Sequence, residues 1–342
     1  MHQTHRSALA ALLAVCVAAC GPAPAGSPST GPSAAPSPVG SAPASLEPTA
    51  GSSGGPSTGP TLATPTSTPL ATESPTPGSA VIPDFSHIEL IVFENKEDSA
   101  IIGNSAAPYF NQLAKAYGLT TNDTAIGHPS QPNYLALASG STGGVTDDGL
   151  HDLGQPSVFD EIEASGRTWQ VAAQNDHTGC FTGELASGGQ DGPGTYARKH
   201  NPAISFTAIS RHPARCARIG DLHGFDPAAA AFSWVVPNLC NSMHDCSIAT
   251  GDAWLARFLP ATLASPAYQR DGLVLITFDE GTTNAGGGGR IATIVISPLG
   301  KAAFSSDVAH DHYSLLHTIQ VAWGLPCLAH TCTANDFREF FR

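Results

Sequence analysis

The sequence predicts an α/β fold: a three-layer sandwich with a mostly parallel central sheet covered by helices on both faces. Three observations lead there. Short apolar runs recur along the chain and end in polar residues, as strands buried on both faces do. Segments of helical periodicity alternate with them. Residues 80–342, outside a low-complexity N-terminal region, are numerous enough for one large core.

Residues 1–20 carry Arg6 and then an apolar run over 8–19, the pattern of a secretory leader too short to span a bilayer as a mature helix. The run ends in VAACG (17–21), which resembles a bacterial lipobox and implies a lipid on Cys20 as the first mature residue. Residues 21–79 are almost entirely Pro, Ser, Thr, Gly and Ala. Such a segment has too little apolar surface to offset its ordering entropy and reads as a tether.

The folded region opens with the strand HIELIVFEN (87–95), followed by a helix around APYFNQLAKAYG (107–118). In HPSQPNYLALASG (128–140), Ser130 reads as an N-cap and Pro132 as a first-turn residue, with Tyr134, Leu135, Leu137 and Ala138 apolar. Ser130 also reads as a nucleophile, because a helix N-terminus offers unpaired N–H groups and positive potential to a phosphate. A helix (157–166), strands at 168–175 and 232–238, and a helix (251–266) follow. Then come the strand GLVLITFDEG (272–281), the tract AGGGGR (285–290), the strand RIATIVISP (290–298) and the helix HYSLLHTIQVAWG (312–324). The glycine tract lacks GK[ST] and precedes a strand, so it reads as a hairpin-like loop and not a phosphate loop.

In open α/β sheets ligands bind beyond the carboxyl ends of the strands. The polar residues there are Glu94 and Asn95, Asn175 and Asp176, Asn238, and Asp279 and Glu280; Ser130 can join that edge. Glu94, Asp279 and Glu280 would crowd three carboxylates, a repulsion that a divalent cation removes. Oxygen ligands favour Mg²⁺, Mn²⁺ or Ca²⁺ over Zn²⁺. A cation beside Ser130 would activate its hydroxyl and hold a phosphoryl oxygen, to which Asn95 could donate an N–H. Of His128, His200, His244 and His312, one could protonate a leaving oxygen, although each singly also reads as structural. GHPSQ is not a GxSxG elbow, which counts against a serine esterase.

The net charge of −13 argues against a nucleic-acid groove. Cys16 and Cys20 belong to the leader. The other six cysteines read as disulfides by local closure: Cys240–Cys246, Cys327–Cys332 and, by elimination, Cys180–Cys216. A zinc site would need the paired CxxC spacing that is lacking.

Six blocks carry a resemblance: IVFENKEDSAIIGNSAAPYFNQLA, HPSQPNYLALASGSTGGVTDD, YARKHNPAISF, VVPNLCNSMHDC, LVLITFDEG and HYSLLHTIQVAWGLP. In this order, over 87–328, the chain resembles the bacterial phosphoesterase family of acid phosphatases and phosphatidylcholine-type phospholipases C, within the alkaline phosphatase superfamily. The resemblance implies an alkaline-phosphatase-like fold and metal-dependent phosphate-ester hydrolysis through a phosphoserine on Ser130. It implies Glu94, Ser130, Asp279 and Glu280 as metal ligands and Asn95 as a phosphate contact. His244 and His312 would face the phosphate or a second metal, and His200 the pocket rim. Two-zinc members of the superfamily carry DxxxH and an Asp-His pair. Here Cys240 stands four residues before His244 and Glu280 replaces the histidine, so one cation is expected. The implied protein is a membrane-anchored surface phosphomonoesterase with no protein partner. A phospholipase C-type diesterase and a non-catalytic binding protein on the same scaffold are the rival readings.

Overall fold

The computed structural model describes residues 80–176, 179–188 and 192–342. The expected leader and tether, with Cys20, lie outside the described residues. None of the described helices is long and apolar enough to cross a membrane.

The main sheet holds β1 (Ile88–Phe93), β2 (Gly118–Thr120), β3 (Trp169–Ala173), β4 (Ile219–Gly220), β5 (Phe232–Val236), β6 (Leu273–Phe278), β7 (Ile294–Ile296) and β8 (Phe304–Ser306), in the spatial order β8-β2-β7-β6-β1-β5-β3-β4. Only β7 runs against the others, pairing antiparallel with both β6 and β2. The principal helices are α1 (Pro108–Ala116), α2 (Ser130–Ser139), α3 (Val158–Ala164), α4 (Ile248–Ala264) and α5 (His312–Trp323).

β1 is buried along its whole length and shows how the layers form. Strand side chains alternate between faces. Leu90 and Val92 enter one core with Leu135 and Leu137 of α2, Phe159 of α3 and Leu316 of α5. Ile91 and Phe93 enter the other with Phe110 of α1 and Leu255 of α4. The expected mostly parallel sheet between two helical layers is therefore the one observed. The three disulfides are also those expected from local closure.

The run at 290–298 departs from expectation by splitting in two. Arg290–Ile291 joins a small sheet with Asp123–Thr124 and His310–Asp311, and only Ile294–Ile296 enters the main sheet. Thr293 sits at the break: its N–H donates to Thr120 Oγ1 at 2.9 Å and its hydroxyl to Asp123 Oδ2 at 2.6 Å. These bonds to the β2 region bend the chain out of a single strand. The glycine-rich segment does fold as a hairpin-like loop, closed by Gly281 N–H on Gly288 O at 2.7 Å. Glu97 holds it down by accepting from the N–H groups of Thr282, Thr283 and Arg290.

Glu89 of β1 is fully buried, and the Thr262 hydroxyl donates to it at 3.2 Å. Burial pushes its carboxyl from 4.5 to about 8. The folded chain thus holds this proton more tightly than the unfolded chain. The resulting stability is complete below pH 4.5 and lost as pH rises through about 8. Glu89→Gln should therefore melt near the parent below pH 4.5 and increasingly above it as pH rises from there to about 8. Thermal melts across the range check this; a variant that is less stable throughout would show that the carboxylate is needed.

Candidate active site

β1 and β6 are parallel neighbours in the register Phe93↔Phe278, so their next residues, Glu94 and Asp279, leave the sheet side by side. Asp279 N–H still bonds Phe93 O at 2.9 Å. Asn95 then takes a left-handed backbone (φ 45°), which asparagine tolerates better than most residues. That turn aims its N–H at Asp279 Oδ1 and its Nδ2 at Glu280 Oε1, both at 2.9 Å.

Ser130 completes the group, but not as a cap. Pro129 holds the N-cap position, and Ser130 is the first helical residue of α2. Its buried hydroxyl lies 3.3 Å from Glu94 Oε2, 3.4 Å from Glu280 Oε1 and 3.5 Å from Asn95 Oδ1. The approach loop is organised instead by Asn133. Its Oδ1 accepts from the N–H groups of Ile126 and Gly127, and its Nδ2 donates to Gly127 O at 2.8 Å. Asp148 accepts from Gln131 N–H at 2.9 Å and pairs with Lys199 at 2.7 Å, which closes one wall.

The crowded carboxylates are costly to ionise. Burial, with Asp279 adding to it, holds Glu94 well above the usual carboxylate range. Burial and then Glu280 push Asp279 to about 6. Burial also raises Glu280, even though His128 Nδ1 bonds its Oε2. Tyr134, one helical turn after Ser130, donates its hydroxyl to Glu94 Oε1. Asp279 Oδ2 is buried without a hydrogen-bond partner among the described residues. A divalent cation among these oxygens would supply the charge and the partner they lack, so the residues fit one.

His200 is placed deeper than the expected rim. It is buried, stacked on Tyr134 with ring centroids 5.2 Å apart, and its Nδ1 lies 3.3 Å from Glu94 Oε1. Burial holds its pKa well below the usual value, so the ring is neutral, and its Nε2 has no hydrogen-bond partner among the described residues. Potential ligand atoms of Glu94, His200 and His244 lie within 4.8 Å of one another. The donors around Glu94 are thus mixed oxygen and nitrogen, not oxygen alone. A cation on that side of Glu94 would have mixed ligands, which suit Zn²⁺ as well as Mn²⁺.

His244 sits in the loop closed by Cys240–Cys246, with Nδ1 on Asp245 Oδ1 at 2.7 Å and its ring 5.5 Å from that of His200. His312 does not stand as expected. It is buried, with Nε2 2.5 Å from the backbone oxygen of Asp279, and burial lowers it to about 4. A neutral ring there donates Nε2–H to that carbonyl, which supports Asp279. Asn175 and Asn238 bond each other at 2.7 Å, beyond the ends of β3 and β5. Tyr134 and Asn133 escaped the sequence reading because helical periodicity counted the first as apolar and left the second without a role.

The family model described as the phosphoesterase family matches residues 99–326, which include Ser130, His200, His244, Asp279, Glu280 and His312. A phosphatidylinositol-3-phosphatase of Mycobacterium tuberculosis is 32% identical over 269 residues, covering 77% of this chain and 85% of that protein. A phosphate-repressible acid phosphatase of Penicillium chrysogenum is 30% identical over 236 residues, covering 66% of this chain and 57% of that longer protein. A solved structure of a candidate sulfatase from Bacteroides thetaiotaomicron shares the fold, with TM-score 0.50 at 12% identity, over 76% of this chain and 75% of that one. With more than half of its length matched by one family model, and a relative at this identity along most of both chains, the chain belongs to the phosphoesterase family and is a phosphoric ester hydrolase.

Proposed function

We propose that the chain is an exported, metal-dependent phosphomonoesterase of acid phosphatase type that works through a phosphoserine on Ser130. The observation that carries this reading is the buried Ser130 hydroxyl, within 3.5 Å of Glu94, Asn95 and Glu280 at the sheet edge. Glu94, Asp279, Glu280 and the Ser130 oxygen would hold one divalent cation. When bound, such a cation lowers the hydroxyl pKa and offsets charge on the phosphoryl oxygens. Asn95, 3.5 Å from the Ser130 hydroxyl, and His200, against Glu94, would orient the phosphate. Ser130 Oγ attacks phosphorus and gives its proton to a neighbouring carboxylate. The bond to the leaving oxygen breaks as His244 protonates it, and water then hydrolyses the phosphoserine. His312 acts by holding Asp279.

The names of both relatives, an acid phosphatase and a phosphatidylinositol-3-phosphatase, support the monoester reading. The test is turnover of p-nitrophenyl phosphate, bis-p-nitrophenyl phosphate and phosphatidylcholine, with and without chelator. We expect chelator-sensitive turnover that favours the monoester. Preference for either diester would make the chain a phospholipase C-type phosphodiesterase, and no turnover of any would revive a binding protein.

The leader, the cysteine in VAACG and three disulfides support export and anchoring through a lipid on Cys20. Mass spectrometry of the mature N-terminal peptide should find that lipid; an unmodified N-terminus would make the protein a free one.

A further inference from the structure

Asn95 and Met243 are non-glycine residues with left-handed backbones, φ 45° and 76°. Each controls a site side chain. Asn95 turns its own amide toward Glu280, and Met243 immediately precedes His244. One ammonium group joins them: half-buried Lys96 donates Nζ–H to Met243 O at 2.9 Å and to Asn95 O at 3.3 Å. The turn is also tied to the strand end by Glu94 N–H on Ser242 O at 2.9 Å. The buried Met243 side chain packs close on Gly251, where an added Cβ would come within 2.4 Å of its Cγ. The Cys240–Cys246 bond closes the loop around it.

We infer that Lys96 is a positioning residue that acts through His244, holding the 240–246 loop so that the imidazole keeps its place beside Glu94 and His200. This rests on the hydrolase reading above. Lys96 would couple the carboxylate cluster to the group that protonates the leaving oxygen, without itself touching substrate.

The experiment is a double-mutant cycle with Lys96→Met, His244→Ala and the double variant, assayed on p-nitrophenyl phosphate and on glycerol phosphate. An alkoxide needs a proton to leave far more than a nitrophenolate does. Lys96→Met should therefore lose at least ~10-fold more kcat on glycerol phosphate than on p-nitrophenyl phosphate. The double variant should be no slower than His244→Ala alone. Lys96→Arg, which keeps a cationic donor, should recover most of the loss. If Lys96→Met does not fold, Lys96→Gln, which keeps an amide NH2 but loses the charge and one atom of reach, takes its place in the cycle. Losses that multiply in the double variant, or that are equal on both substrates, would overturn the inference. Parent turnover of p-nitrophenyl phosphate reports separately on the hydrolase reading.

Discussion

Ser130→Ala is expected to lower phosphate-ester turnover by at least ~10³-fold while the protein stays folded. Ser130 makes no capping bond, because Pro129 stands at the N-cap. The stability cost should thus fall below the ~1 kcal/mol typical of losing a serine cap. Ser130→Asn gives the same contrast, since asparagine can hydrogen-bond among Glu94, Asn95 and Glu280 but cannot accept a phosphoryl group. Ser130→Thr keeps a hydroxyl and should keep partial activity. Kinetics and thermal melts on the three variants check this. A folded Ser130→Asn protein that hydrolyses at near the parent rate would remove the serine from the chemistry.

Asp279→Asn should empty the proposed cation site and lower turnover by ~10²-fold or more. Its Oδ1 can still accept from Asn95 N–H, so the local fold should persist. The stability change should run the other way in the metal-free protein. Asp279 is raised from 3.8 to about 6, so its contribution is full below the lower value and lost as pH rises through the upper one. At neutral pH in chelator, Asp279→Asn should therefore melt above the parent, while added Mn²⁺ or Zn²⁺ should stabilise the parent more than the variant. Elemental analysis and melts with and without metal measure both effects. Unchanged metal content in Asp279→Asn would move the cation to the other side of Glu94, beside His200 and His244.

The parts of this site that could be read in the sequence are those set by strand order. Glu94 and Asp279 each follow a six-residue buried strand, and parallel pairing must bring such residues to one edge. Ser130 was recognisable by its place at a helix start, although its side chain turns to the carboxylates and not to its own helix. The environments of the histidines were out of reach, because they depend on tertiary contacts. His200 lies beneath Tyr134 and against Glu94, and His312 is committed to a backbone oxygen. The split of 290–298 was hidden too. It depends on Thr293 reaching Thr120 and Asp123, bonds that no periodicity records. Strands as short as Gly118–Thr120 and Phe304–Ser306 carry too few residues to show alternation.

The central claim is that the phosphoryl group passes through Ser130. The most direct measurement mixes purified protein with excess p-nitrophenyl phosphate, quenches with acid over a series of short times, and maps phosphate by peptide mass spectrometry. The account predicts phosphate on the peptide containing Ser130, at that residue, absent from Ser130→Asn and disappearing as substrate is exhausted. Phosphate on any other residue, or none at any quench time from a protein that is turning over, would contradict it.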